Sequence, residues 1–249
     1  MDKRLLTLLV VAIFFLSFLF SLDPIPQDPA YHLFADNRDF LSIPNTWDVL
    51  SNIAFLIVGL AGIKLVSHSG IKRHLQYFIF FVGVTLTAFG SAYYHLSPDN
   101  NTLFWDRLPM TIAFMAFFSS IIYECINQQS GKKLLIPLLV TGITSIVYWL
   151  WTEQNGQGDL RFYASVQFLP MILIPLVLVL YKPDKKYAGY IISLIVFYAV
   201  SKIFEYYDRE IFELTQFVSG HTLKHLSAAT GTAMILSLFV YRYTLGNRR

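Results

Sequence analysis

Long apolar runs restrict the fold of this chain more than any other feature of the sequence. Eight such runs lie at residues 5–22, 49–67, 76–95, 106–126, 134–152, 162–181, 187–205 and 220–241. About 20 consecutive apolar residues suffice for a helix to cross a bilayer. Only 14% of the 249 residues are charged, whereas a soluble domain usually carries about 25%. The runs do not alternate as barrel strands do, so the sequence predicts an all-α membrane protein.

Short loops join the apolar runs, which indicates one compact bundle. We divide the chain into an N-terminal hydrophobic helix (1–22), a polar segment (23–48), a seven-helix core (49–241) and a basic tail (242–249). The first run follows a basic start, as in a signal peptide, but no small-x-small cleavage motif follows it. We expect an uncleaved anchor, with a cleaved signal peptide as the alternative. The fold class is therefore a seven-transmembrane-helix bundle preceded by one extra N-terminal helix.

The lysine and arginine residues near the ends of the runs predict the orientation in the membrane. With eight crossings they fall on one side: Lys3, Arg4, Lys64, Lys72, Arg73, Lys132, Lys133, Lys182, Lys185, Lys186, Arg242, Arg248 and Arg249. Cytoplasmic loops are enriched in these residues, so we expect both termini in the cytoplasm. The short loops favour a bacterial inner membrane, and an endomembrane remains the alternative. The small net charge of +3 gives no reason to expect a nucleic-acid partner.

Histidine and aspartate residues gather at the opposite, outer side. His95 ends the third run and Asp106 begins the fourth, while His221 and His225 begin the eighth. Residues four apart share one face of a helix, so these two imidazoles point the same way. Ser91 precedes His95 by one turn. Three histidines and one carboxylate are therefore expected to meet at one depth of the membrane.

Three imidazoles with an open fourth position are a common arrangement for catalytic zinc. A carboxylate such as Asp106 could accept a proton from the water that the metal activates. The alternative is a hydrogen-bonded polar network without a metal. The other three histidines, His32, His68 and His74, are interpreted as amphipathic side chains at the membrane interface. The single cysteine, Cys125, excludes an intrachain disulfide.

A second polar patch precedes the first core helix and includes Asp36, Asn37, Asp39 and Asn45. Oxygen ligands in a loop suit calcium, but by its chemistry alone an acidic surface loop is the simpler interpretation. Within the following apolar run, Ser51 and Asn52 are expected to hydrogen-bond neighbouring helices.

Three further polar residues and three glycines have simpler interpretations. Asp99 lies in a turn sequence, and Glu124 is expected to snorkel from the inner end of the fourth run. Arg107 is expected either to pair with Asp106 or to face lipid headgroups. Gly90, Gly220 and Gly231 are expected to permit close helix packing.

Taken together, these residues resemble the alkaline ceramidase family, which belongs to a membrane hydrolase superfamily that includes adiponectin-receptor-like proteins. The matching motifs are Ser91-x-x-x-His95, the following Asp106 in "DRLPM", and His221-x-x-x-His225. The stretch "NTWDVLSN" is similar to the first core helix of the family. The order and approximate spacing agree over residues 31–241.

The resemblance implies a zinc ion held by His95, His221 and His225, with Asp106 and Ser91 as catalytic residues. It implies hydrolysis of an N-acyl amide of a membrane lipid, ceramide or a relative, to a fatty acid and a sphingoid-type amine. Animal members of the family also bind calcium, and the nearest counterparts here are Asp36, Asn37, Asp39 and Asn45. The chain departs from that calcium pattern at Leu41 and at Asn45, where a glutamate is expected.

Two other functions remain open at this stage. One is a receptor-like membrane protein without enzymatic activity, in which the zinc is structural and has a fourth protein ligand. The other is a transporter with a histidine and aspartate proton relay, although the internal repeats common in transporters are not evident in the sequence.

Overall fold

The computed structural model describes residues 2–68 and 75–246, so Lys72, Arg73, His74, Arg248 and Arg249 lie outside the described part of the chain. Within it the α-helices are α1 (Lys3–Ser21), α2 (Thr46–Ser51), α3 (Ile53–His68), α4 (Leu75–Leu96), α5 (Asn100–Ile121), α6 (Gln128–Gln154), α7 (Arg161–Tyr181), α8 (Lys185–Tyr206), α9 (Asp208–Thr215) and α10 (Gly220–Gly246). A 3₁₀ turn covers Pro29–His32, and a π-helical turn, Ile122–Ile126, extends α5.

Eight helical stretches of the described chain are long and apolar enough to cross a membrane. Each corresponds to one of the predicted runs, and α2 with α3 forms a single span, as α5 does with its π-helical turn. The expectation of an all-α bundle of eight helices is confirmed. The protein is an integral, multi-pass membrane protein.

The fourth predicted run begins earlier in the structure, at Asn100 rather than at residue 106. Asp99 causes this difference because its side chain caps α5, accepting a hydrogen bond from the backbone N–H of Thr102 at 2.7 Å. That bond lowers the pKa of the Asp99 carboxyl below its usual range. Asp99 is exposed, as the turn sequence predicts, and it is also the residue that caps the start of α5.

The bundle is organised around α4, which packs against α3 on one side and α5 on the other. Helix α10 lies against α8 and α3, and α5 also contacts α6. The N-terminal helix α1 packs against α7 at the periphery, and only Leu8 and Leu19 of it are buried. The C-terminal end of α4 and the N-terminal ends of α5 and α10 are therefore brought together by the packing of the core.

Gly90 brings α4 unusually close to α5. A Cβ atom at this position would collide with the backbone carbonyl oxygen of Trp105. Only glycine allows this approach, which sets Ser91 beside Asp106 on the next helix. The expectation that Gly90 serves close packing is confirmed.

The structure revises the interpretation of Arg107. Its guanidinium neither pairs with Asp106 nor faces headgroups: it is buried and donates to Gln27 Oε1 at 2.8 Å. Its Cζ atom lies 5.4, 4.6 and 4.9 Å from the ring centroids of Tyr31, Trp149 and Tyr163. Cation–π contacts thus join α5 to the outer segment and to two neighbouring helices.

Glu124 also differs from the prediction, because it pairs with Arg242 rather than snorkelling alone. An Arg242 Nη1 atom lies 3.0 Å from Glu124 Oε1. This ion pair joins the C-terminal ends of α5 and α10.

Candidate metal centre

His95, His221 and His225 form a compact buried cluster where the C-terminal end of α4 meets the N-terminal end of α10. Their ring centroids are 4.8 to 5.0 Å apart, and one nitrogen from each ring lies within 4.8 Å of the others. At most 4% of each residue is exposed. The spacing of His221 and His225, with His95 arriving from α4, produces the convergence that the sequence predicts.

The chemistry of these donors fits a zinc ion. Neutral imidazole nitrogens bond zinc at about 2.0–2.1 Å, so small ring movements would bring all three onto one ion. The Nδ1 atom of His95 is buried and has no hydrogen-bond partner among the described residues. An unpaired buried polar atom is costly, and a bound group at this position would remove that cost.

Ser51 orients His225 through a bond between helices. Its hydroxyl donates to the backbone oxygen of Asp48 at 3.0 Å, and Ser51 Oγ lies 2.7 Å from His225 Nδ1. Because the hydroxyl proton is used on Asp48, Ser51 accepts from the Nδ1–H group. The Nε2 atom of His225 is then unprotonated and free to bind a metal.

The variant Ser51→Ala is expected to weaken metal binding by about 10–100-fold, the usual effect of losing a hydrogen bond that orients a ligand. Competition with a chelator of known affinity measures this loss. Ser237→Ala is the matched control, because the Ser237 hydroxyl bonds only to its own helix, at the Ala233 carbonyl. Equal metal affinity in both variants would mean that Ser51 does not hold His225.

Three contacts that the sequence analysis did not predict hold the other two histidines. Asn45 Nδ2 donates to the backbone oxygen of His95 at 2.8 Å. The backbone N–H of His221 donates to Asp208 Oδ1 at 2.7 Å, which fixes the start of α10. The Phe34 ring lies 4.6 Å from the His95 ring and 4.7 Å from the His221 ring. The polar segment before α2 therefore covers the cluster.

Ser91 and Asp106 lie together beside the histidines. Both are buried, and the Ser91 side chain lies close enough to the Asp106 carboxyl to interact with it. Both also line the same cavity as His225. The two residues predicted to be catalytic thus share one space with one of the three predicted ligands.

This cavity lies between the helices and has a volume of about 1050 Å³, including space that is open to the surroundings. Its end nearest the histidines is polar, with Ser91, Asp106 and His225. The remainder is mainly apolar and includes Phe80, Val84, Phe117, Ile174 and Leu194. Such a space suits a long hydrocarbon chain with a polar group at one end.

Two lysines and a glutamate complete the polar end of the cavity. None of the three was predicted from the sequence as a site residue. Lys202 Nζ lies 2.6 Å from Glu205 Oε2, and Lys224 Nζ lies 2.6 Å from Glu205 Oε1. Both lysines line the cavity. Each of the three residues lies within an apolar run, at or near its outer end, and charges inside membrane helices usually serve a function. That rule could have identified them.

The four candidate calcium ligands have other roles or none that the structure records. Arg38 Nε and Nη2 donate to the two carboxylate oxygens of Asp36, at 2.7 and 2.6 Å. Asn45 uses its amide nitrogen on the His95 carbonyl. Asn37 and Asp39 are exposed. The Arg38 guanidinium thus supplies Asp36 with the positive charge that a calcium ion would provide.

We therefore expect activity to be unaffected by a calcium-selective chelator, because Asp36 already has a cationic partner. Hydrolysis measured with and without the chelator, at fixed zinc, tests this expectation. Activity that falls on calcium removal and returns on its addition would contradict it.

His32 and His68 lie away from the cluster. The two nitrogens of His32 face Tyr94 Oη at 2.9 Å and Asn100 Oδ1 at 3.1 Å. His68 is exposed, and its Nδ1 atom bonds the Lys64 carbonyl of its own helix. Neither is available as a ligand for the three-histidine cluster.

The chain also matches a known family over most of its length. A family model described as Ceramidase matches residues 42–248. A comparison with curated proteins gives no match. The matched region contains all three histidines together with Ser91 and Asp106.

Proposed function

Since the chain belongs to the ceramidase family, we propose that it is a zinc-dependent membrane amidohydrolase that cleaves the N-acyl amide of ceramide or a related lipid. The products would be a fatty acid and a sphingoid-type amine. The observation that carries this proposal is the buried cluster of His95, His221 and His225 at the polar end of an apolar cavity.

The number of protein ligands favours catalysis over a structural role. A structural zinc site is closed by four protein ligands, whereas a catalytic site has three and keeps one position open. Among the described residues no cysteine, aspartate or glutamate joins the three histidines as a fourth ligand. This argues against the receptor-like alternative.

The chain's own side chains would carry the proton transfers. Zinc, when bound, polarises a carbonyl group and lowers the pKa of water to about 7. Asp106 accepts the proton of the attacking water and later returns a proton to the leaving amine nitrogen. Ser91 orients the Asp106 carboxylate through its hydroxyl, which then donates to the developing oxyanion.

The cavity would hold the acyl chain. Its apolar side chains exclude water from the hydrocarbon, while the amide reaches the polar end where His225 and Asp106 lie. A proton relay needs a chain of polar groups across the membrane, and the mainly apolar lining of this cavity does not favour the transporter alternative.

Incubation of the purified, zinc-loaded protein with a fluorescent ceramide tests the proposal. We expect release of the labelled fatty acid, and no release after removal of the metal by a chelator. A panel of neutral and anionic N-acyl amides extends the test to related lipids. Intact substrate throughout the panel, with zinc present, would overturn the proposed function.

We also propose that both termini are cytoplasmic and that the metal centre opens to the non-cytoplasmic side, in a bacterial inner membrane. Cysteines introduced at Asn101 and Glu213, both exposed, are expected to react with a membrane-impermeant thiol reagent on intact cells. Cysteines at Lys132 and Lys185 should react only after the membrane is opened. All four belong in a Cys125→Ser background, and the reverse labelling pattern would overturn the orientation.

A further inference from the structure

From the charges beside the histidines, and on the basis of the proposed function, we infer that the preferred substrate is an anionic N-acyl amide whose carboxylate lies next to the scissile amide, as in an N-acyl amino acid. The carboxylate would bind the ammonium groups of Lys202 and Lys224. Ceramide, which is neutral, would be a weaker substrate.

The two lysines are arranged so that one of them can bind a further acceptor. One carboxylate, Glu205, is shared by two ammonium groups at 2.6 Å each, and it also accepts from the Tyr31 hydroxyl at 3.0 Å. Both lysines line the cavity, and the Lys202 side chain is 34% exposed. Lys202 therefore keeps donor capacity for a second acceptor.

The total charge at this end of the cavity also favours an anionic substrate. Among the charged residues that line the cavity, Lys202 and Lys224 outnumber Asp106, and Glu205, which pairs with both lysines, brings this sum to zero. The carboxylates of Asp48 and Asp208 also lie near the start of α10, but they accept hydrogen bonds from Thr222 and from the His221 backbone and do not line the cavity. The metal that the three histidines would hold adds two positive charges. An uncompensated charge in a membrane interior is costly, and an anionic substrate reduces it whereas a neutral one does not.

The short distance between the ammonium groups and the histidines also favours such a substrate. Lys224 Nζ lies 3.4 Å from His221 Nε2, and Lys202 is joined to Lys224 through Glu205. The Lys224 ammonium group is therefore one contact away from the three histidines. A carboxylate on the carbon attached to the amide nitrogen would lie equally near.

Two substrates with the same acyl chain and a two-carbon amine provide a matched test. N-palmitoylglycine carries a carboxylate where N-palmitoylethanolamine carries a hydroxymethyl group. We expect kcat/KM of the wild-type protein to be about tenfold higher for the glycine conjugate, the effect of one charge-assisted hydrogen bond.

The variant Lys202→Met should remove this preference by raising KM for the glycine conjugate about tenfold, with kcat unchanged. The values for the ethanolamine conjugate should change less, so the ratio of the two kcat/KM values should fall from about ten to about one. Because Glu205 keeps its partner Lys224, the variant should fold, and its metal content and melting temperature check this. Lys202→Arg keeps the charge and should retain the preference. Lys64→Met, which removes an exposed lysine on α3, is the control.

The possible results separate this inference from the proposed function. Hydrolysis of ceramide and the ethanolamine conjugate, without preference for the glycine conjugate, would overturn the inference and leave the proposed function intact. Equal losses for both substrates in Lys202→Met would also overturn the inference, because the lysine would then act on folding or chemistry.

If no substrate is hydrolysed, the proposed function fails and binding decides the inference. The glycine conjugate should then raise the melting temperature of the wild-type protein more than the ethanolamine conjugate does. Lys202→Met should lose that difference. Equal stabilisation by both conjugates would overturn the inference.

Discussion

The variants His221→Ala and His225→Ala are each expected to purify without zinc and to have no measurable hydrolytic activity. Each removes one of three ligands from a buried site in which the described residues offer no replacement. The two imidazoles that remain hold zinc far less tightly than the three of the wild-type protein. Elemental analysis of the purified variants, beside an activity assay at matched protein concentration, measures both effects.

His68→Ala is the matched control for this experiment. It also removes a histidine from a membrane-spanning helix, but His68 is exposed and lies outside the cluster. It should keep full zinc content and activity. Zinc content equal to the wild type in His221→Ala or His225→Ala would show that the three-histidine cluster is not the metal site.

The variant Asp106→Asn is expected to keep its zinc and to lose hydrolysis by about 10²–10⁴-fold, the usual contribution of a general base. Asparagine has nearly the same size but cannot accept the proton of the attacking water. Metal content and kcat measured on one preparation separate binding from catalysis. Loss of zinc from Asp106→Asn would make Asp106 a ligand and contradict its assigned role.

Ser91→Ala should have a smaller effect than Asp106→Asn. It removes a hydroxyl that interacts with Asp106 while the carboxylate and the metal ligands remain. A loss of activity as large as that of Asp106→Asn would mean that Ser91 does more than orient the carboxylate.

The transmembrane helices could be predicted from the sequence because apolar length alone determines them. The three histidines could also be predicted: the spacing of His221 and His225 fixes one helical face, and counting the crossings brings His95 to the same side. The boundaries were less accurate, as at α5, because a single capping residue, Asp99, decides where the helix begins.

Contacts between distant parts of the chain could not be predicted in the same way. Ser51 and His225 are 174 residues apart in sequence, and no local pattern indicates which hydroxyl meets which imidazole. Asn45 resembled a calcium ligand, but in the fold its amide reaches the His95 carbonyl.

The roles of charged residues near helix ends were also not predicted correctly from the sequence. Lys202, Glu205 and Lys224 resemble ordinary interfacial charges when read along the chain. Only the packing of α8 against α10 places the two lysines at the cavity and Glu205 between them. Arg107 was misjudged for the same reason, since its aromatic partners come from three other segments.

A zinc titration of metal-free protein tests most directly the claim that the three histidines form a catalytic metal centre. The protein is stripped with a chelator, zinc is added in steps, and fatty-acid release from an N-acyl lipid substrate is measured at each step. We predict no release without metal and a linear rise that ends at one zinc per chain, the capacity of the His95, His221 and His225 cluster. Full activity in the metal-free protein, or activity unrelated to zinc content, would contradict the account.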